Sequence, residues 1–182
     1  MRIIALLMAV VFTMAVPAQA VPPAPVIAVV DTQKVLRDST AAQSIRKQLD
    51  SKRSSYQAEI KKDEERLRAA AQEFVKSRET LSKEALLEKQ KALRADFASV
   101  ERKVLQRRRM LDQAFANAMK QVRDALAEIV INTAKAQGVN TVLAKQETMW
   151  VAPELDITET ILTQLNQKLP NVTVSFTAVQ DK

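Results

Sequence analysis

The residues of this chain that could do chemistry are carboxylates and cationic side chains, because the sequence contains no histidine and no cysteine. Those absences remove the usual general base near neutral pH, the usual thiol nucleophile and the commonest zinc ligands. The acidic run Asp63-Glu64-Glu65 lies among Lys61, Lys62 and Arg66. At that spacing the charges form ion pairs along a helix more readily than an acid/base pair or a metal site. A phosphate cradle needs a glycine-rich loop, and Gly138 is the one glycine of the chain. The densest basic run is Arg107-Arg108-Arg109. It reads first as a solvated face with its stems over apolar neighbours, and otherwise as an attractor of anionic surfaces. Nucleic acid is disfavoured, since no aromatic residues interleave with the arginines for base stacking. The sequence therefore predicts binding chemistry, with no catalytic residues, no metal and no cofactor.

The elements that must carry these residues are long helices. From Val26 to Ala152 there is no proline. The charged and apolar positions in between are filled largely by Lys, Arg, Glu, Gln, Ala and Leu, all strong helix formers. Between Ser44 and Arg123 there are 21 basic and 12 acidic residues, whereas the rest of the chain after residue 20 has 6 basic and 9 acidic. The long helices are thus basic and the remainder mildly acidic.

Ile45, Leu49, Tyr56, Ile60, Leu67, Ala71, Phe74 and Leu81 form a narrow stripe with repeated offsets of 11 residues, close to a straight helix. The chain must turn back between Lys76 and Lys83, with Ser82 as a new N-cap. Leu86, Leu93, Phe97, Val100, Val104, Leu111, Phe115, Ala118, Val122, Leu126 and Ile129 follow at three-and-four spacing, a seam of coiled-coil type. Gly138 stands where a helix end wants a left-handed residue. At 1.5 Å per residue the outgoing helix, Thr40 to Ser77, is about 57 Å long. Two such helices must zip as an antiparallel hairpin, and even so bury little.

Either side of the hairpin the texture changes. Val26–Val30 reads as a buried strand, with Asp31 or Thr32 capping a short helix and Ser39 or Thr40 capping the next. Thr141–Leu143, Met149–Val151 and the alternating Val172, Val174 and Phe176 read as further strands. Asp156 caps a helix carrying Ile157, Ile161, Leu162 and Leu165 that closes before Pro170. The expected class is α+β, predominantly helical: a small β-rich oligomerisation body with a long α-helical hairpin inserted between its strands. So few strands make a poor core alone, and several copies sharing a barrel or sheet would remedy that. Trp150 and Phe176 are candidate anchors there, or within a single subunit.

Residues 1–20 read as a secretory signal peptide: Arg2, then the apolar stretch Ile3 to Val16, then Ala18-Gln19-Ala20 as an A-x-A cleavage signature. The apolar stretch is shorter than the roughly 20 residues that span a bilayer, and no cysteine near the cleavage site offers a lipid anchor. A short signal, no cysteine and no second targeting motif together suggest a bacterial periplasm, with cleavage after Ala20. The expected organisation is a body in two parts (21–38 and 138–182) and a hairpin arm (39–137).

Ile27-Ala-Val-Val-Asp31 with Val35-Leu36, the charged hairpin, Val139-Asn-Thr-Val-Leu-Ala144 and Asp156-Ile-Thr-Glu-Thr-Ile-Leu162 together resemble the Skp/OmpH family of periplasmic chaperones. The resemblance runs from about Val26 to Leu169, and Pro170–Lys182 extends past it. It implies a homotrimer whose arms enclose a cavity and hold unfolded outer-membrane proteins soluble on their way to insertion. With no nucleotide site, such an activity must be passive and ATP-independent. Client-contact candidates on the arm are Leu67, Phe74, Leu86, Leu93 and Phe97. Electrostatic candidates are Lys61, Lys62, Arg66, Arg107, Arg108 and Arg109, with anionic lipid or lipopolysaccharide as further partners. The alternative from another class is a structural coiled-coil spacer or adaptor of the cell envelope.

Overall fold

A computed structural model of the chain describes residues 23–177. The expected signal peptide, residues 1–20, lies outside the described residues. The chain runs as strand β1 (Ile27–Val30), helix α1 (Thr32–Asp38), helix α2 (Thr40–Ser77), helix α3 (Lys83–Ala136), strand β2 (Thr141–Ala144) and helix α4 (Thr158–Lys168). Single 3-10 turns occupy Lys145–Glu147 and Pro153–Leu155.

Local chemistry sets most of these boundaries. Asp31 caps α1 by accepting from the Lys34 N–H at 2.8 Å. Ser39 caps α2 through Ala42, and Ser82 caps α3 through Ala85, each at 3.3 Å. The 54-residue α3 ends where Gly138 takes φ +68°, a left-handed conformation that costs a residue with a Cβ. Val139 then donates back to the Ala134 carbonyl at 2.9 Å, which satisfies one of the orphaned helix-end acceptors.

β1 and β2 form a parallel two-stranded sheet with Ile27 opposite Thr141 and Val30 opposite Ala144. The hairpin is the crossover between them. α2 and α3 run antiparallel, as shown by pairs such as Tyr56 with Met110 and Lys89 with Ser77. One contiguous core lies at the root of the hairpin. There Ile45, Val122, Ile161 and Leu165 are fully buried together with Val35 and Ala41. α4 closes it, reaching α1, α3 and β1.

Three expectations are corrected. The body is less β-rich than the sequence suggested, since Met149–Val151 is not a strand. The 3-10 turn at Lys145–Glu147 lifts the chain off the sheet, and its β-type residues find no pleated surface to cover. Trp150 is 80% exposed and anchors nothing within this chain. Second, Val172, Val174 and Phe176 do face inward while Thr173, Ser175 and Thr177 face out, yet no ladder forms. The segment lies against α2, where the Gln48 side chain supplies its backbone partners. Third, Phe97, Val104 and Phe115 leave the hairpin seam and are 38–45% exposed. Their strict repeat drifts around a nearly straight helix, and smaller neighbours such as Ala114 take the inward places.

Candidate functional site

Beyond Leu49 the continuous core stops. Along the arm Tyr56, Leu67 and Val100 are buried singly, and charged pairs cross between the helices. Lys103 reaches Asp63 at 2.6 Å, Arg66 reaches Asp96 at 2.9 Å and Lys89 reaches Glu73 at 3.6 Å. Arg107 pairs with Glu59 and stacks over the Tyr56 ring at 4.7 Å. Its Nη1 is buried without a hydrogen-bond partner. Hydrogen bonding from Lys103 is the main cause that holds the Asp63 carboxyl below its ordinary pKa.

Between these pairs the hairpin opens into an apolar groove of about 730 Å³. Leu67 of α2 and Val100 of α3 form its floor; Phe97, Val104 and Leu105 of α3 form its walls; Glu64, Arg68 and Glu101 stand at the rim. Its origin is a mismatch of widths. Positions 97, 100, 104 and 105 make a broad apolar stripe on α3, whereas α2 brings Leu67 flanked by charged residues. One helix cannot cover the other's face, so Phe97 stays 45% and Leu105 56% exposed. Such a surface can bind apolar side chains by desolvation and has no group placed for bond-making chemistry.

The candidates from the sequence are therefore partly gathered. Leu67 and Phe97 meet in the groove, although Leu67 is 4% exposed and acts as its floor. Phe74, Leu86 and Leu93 are half-buried nearer the tip and do not line it. Arg66 and Arg107 are engaged across the hairpin, while Lys61, Lys62, Arg108 and Arg109 are exposed. Leu105 was missed because it falls off the three-and-four repeat. The detectable signal was the adjacent pair Val104-Leu105, which widens the stripe beyond a coiled-coil seam.

A second, polar cleft of about 380 Å³ lies in the body, among Asp31, Lys34, Lys145, Asp156, Thr158 and Glu159. Lys145 pairs with Asp156 at 2.6 Å, Lys34 pairs with Glu159, and Gln146 donates to Asp31 at 2.9 Å. Burial alone would raise the Asp156 pKa, but hydrogen bonds from Lys145 and Thr158 outweigh it and bring it down to about 2. These contacts fasten β1 and α1 to the start of α4. No group of three metal-ligating side chains is present among the described residues.

The comparisons with known proteins agree with this architecture. A family model described as outer membrane protein (OmpH-like) matches residues 26–165. No curated protein matches the sequence. A crystal structure of a candidate outer membrane chaperone (OmpH-like) from Caulobacter crescentus superposes with a TM-score of 0.80 at 17% identity, covering 91% of this chain and 98% of that one. At that identity the likeness speaks for the fold.

Proposed function

The chain belongs to the OmpH-like family, and from that membership and the open groove on the arm we propose that it is an ATP-independent holdase of the periplasm. It keeps unfolded outer-membrane proteins soluble between helical arms and passes them on for membrane insertion. The observation that carries the reading is the apolar groove, with Phe97, Val104 and Leu105 left exposed on a hairpin too thin to cover them. Phe97, Val104 and Leu105 make the contacts, over Leu67; Phe74, Leu86 and Leu93 extend the weak apolar surface towards the tip. Lys61, Lys62, Arg108 and Arg109 attract acidic clients, and also anionic lipid or lipopolysaccharide, while Arg66 and Arg107 chiefly hold the arm together.

In this reading residues 1–20 are removed after Ala20, residues 39–137 form the arm, and 21–38 with 138–182 form the body. Three bodies join as a homotrimer. Support for joining comes from the outer edge of β2, unpaired among the described residues, with Leu143, Met149 and Trp150 exposed nearby.

Light scattering of an unfolded outer-membrane protein diluted from denaturant tests the activity. Suppression of aggregation is expected at one trimer per client, and its absence overturns the reading. Phe97→Ser with Leu105→Ser should weaken suppression about ten-fold, with the helical circular dichroism retained. Unchanged suppression would place the client contacts outside this groove, whereas no suppression by the parent chain would favour the spacer.

A further inference from the structure

Residues 171–177 are seated on the arm root in a way the alternating sequence did not foretell. The segment is extended, with Val172 3% and Val174 5% exposed and the intervening Thr173 and Ser175 facing solvent. It joins no sheet. One side chain does the work of a neighbouring strand: Gln48 Nε2 donates to the Val172 carbonyl at 2.7 Å, and Gln48 Oε1 accepts from the Val174 N–H at 3.0 Å. Ser44 holds that amide in place, accepting from the same Nε2 at 3.1 Å. Further along, Lys52 Nζ lies 5.7 Å from the Phe176 ring and 4.9 Å from the Tyr56 ring. The groove here is about 530 Å³, lined by Lys47, Gln48, Ser51, Lys52, Ser55 and Phe176.

We propose that this face of α2 is a binding site for an extended polypeptide strand with apolar residues at alternate positions, filled in cis by the chain's own residues 171–177. Reading two successive backbone groups while taking alternate side chains inward is how a strand is recognised without sequence identity. Main-chain bonds fix the direction and register; the valine sites require an apolar residue at every second position; the hydroxyl-bearing residues between them remain in water. The occupant follows residue 169; its backbone is held by one glutamine rather than by a ladder, and its two valines reach the shared core. Its pattern is that of a strand with one apolar face. The proposal rests on the holdase reading only for the source of the strand that replaces it, since the site itself is defined by the segment already there.

The test uses the full chain and a labelled synthetic peptide covering residues 170–177, followed by fluorescence anisotropy. In the parent chain the site is filled and binding is weak. Val172→Asp with Val174→Asp unseats the segment and should tighten peptide binding at least about ten-fold, because the competent fraction rises. Adding Gln48→Met, which keeps the stem and removes the amide, should abolish that gain. A control peptide with its two valines adjacent should bind about ten-fold more weakly. Equal binding by the two peptides, or no gain on unseating, overturns the proposal. Amide exchange of the otherwise parent chain gives a readout that survives if the aspartate variant fails to fold. Gln48→Met should speed exchange at the Val174 N–H about ten-fold and leave Val122 unchanged; an unaltered Val174 rate sinks the site. No client is needed, so a failed aggregation assay beside successful peptide binding would remove the holdase and leave the site.

Discussion

The root of the hairpin and its outer reach are cut from the same helical cloth, yet they are held by different physics. At the root α2 meets α3, α1 and the extended segment from Asn171, while α4 covers α1 and α3. Ile45, Val122, Ile161 and Leu165 are completely buried there. Further out each helix has one partner. Buried residues become solitary, and exposed ion pairs such as Arg66–Asp96, each worth little in water, fill the intervals. Helix propensity does not differ enough to explain this. The number of neighbours does, because a helix buries a wide face only when more than one element covers it. Stability is concentrated at one end, and apolar surface is left over at the other.

The hardest way to break that contrast is Ile161→Ala. Removing a fully buried side chain from the shared core should cost about 2–5 kcal/mol and lower the melting midpoint of the whole chain by circular dichroism. If the chain melts unchanged, the root is not the stable end. Acid acts at the same end. The Asp156 pKa is lowered to about 2 from 3.8. A depressed carboxylate stabilises the fold above its unfolded value and loses that contribution as pH falls through the folded value. About 2 kcal/mol should therefore vanish between roughly pH 4 and pH 2. Asp156→Asn should flatten this part of the pH–stability profile in denaturant titrations.

Leu67→Ala sharpens the contrast from the arm. It should cost about 2 kcal/mol, at the low end for a core leucine, and appear as faster amide exchange around residues 60–70 and 97–107. A drop in the global midpoint as large as that of Ile161→Ala would show that arm and root unfold together. The smallest effect belongs to the junction. Gly138→Ala meets no atom within 4 Å of the new Cβ, so only the backbone strain at φ +68° counts. About 1 kcal/mol is expected, read from the denaturation midpoint.

Much of the outline was legible because it depends on neighbours in sequence. Ser39, Ser82 and Gly138 mark helix ends through hydrogen bonds that reach only a few residues. The turn between Ser77 and Lys83 was equally local. The candidate site was half legible. Phe97 and Leu67 stood out by periodicity, but whether a stripe residue is sealed or open depends on the width of the opposing helix, which no single stripe reveals. Trp150 shows the same limit: strand-like composition around it could not say that the chain would leave the sheet five residues earlier, at Lys145.

The sequence by itself determined that two long helices form, where they start, stop and turn, and that their surface is basic, since propensity, caps and charge are properties of adjacent residues. Only the tertiary structure decided that α3 is wider in apolar surface than α2 can cover, and that Gln48 would stand in for a strand beside Val172 and Val174. The first depends on which faces meet across the hairpin and the second on how residues 171–177 pack onto α2 at the shared core, and both bring together residues far apart in sequence.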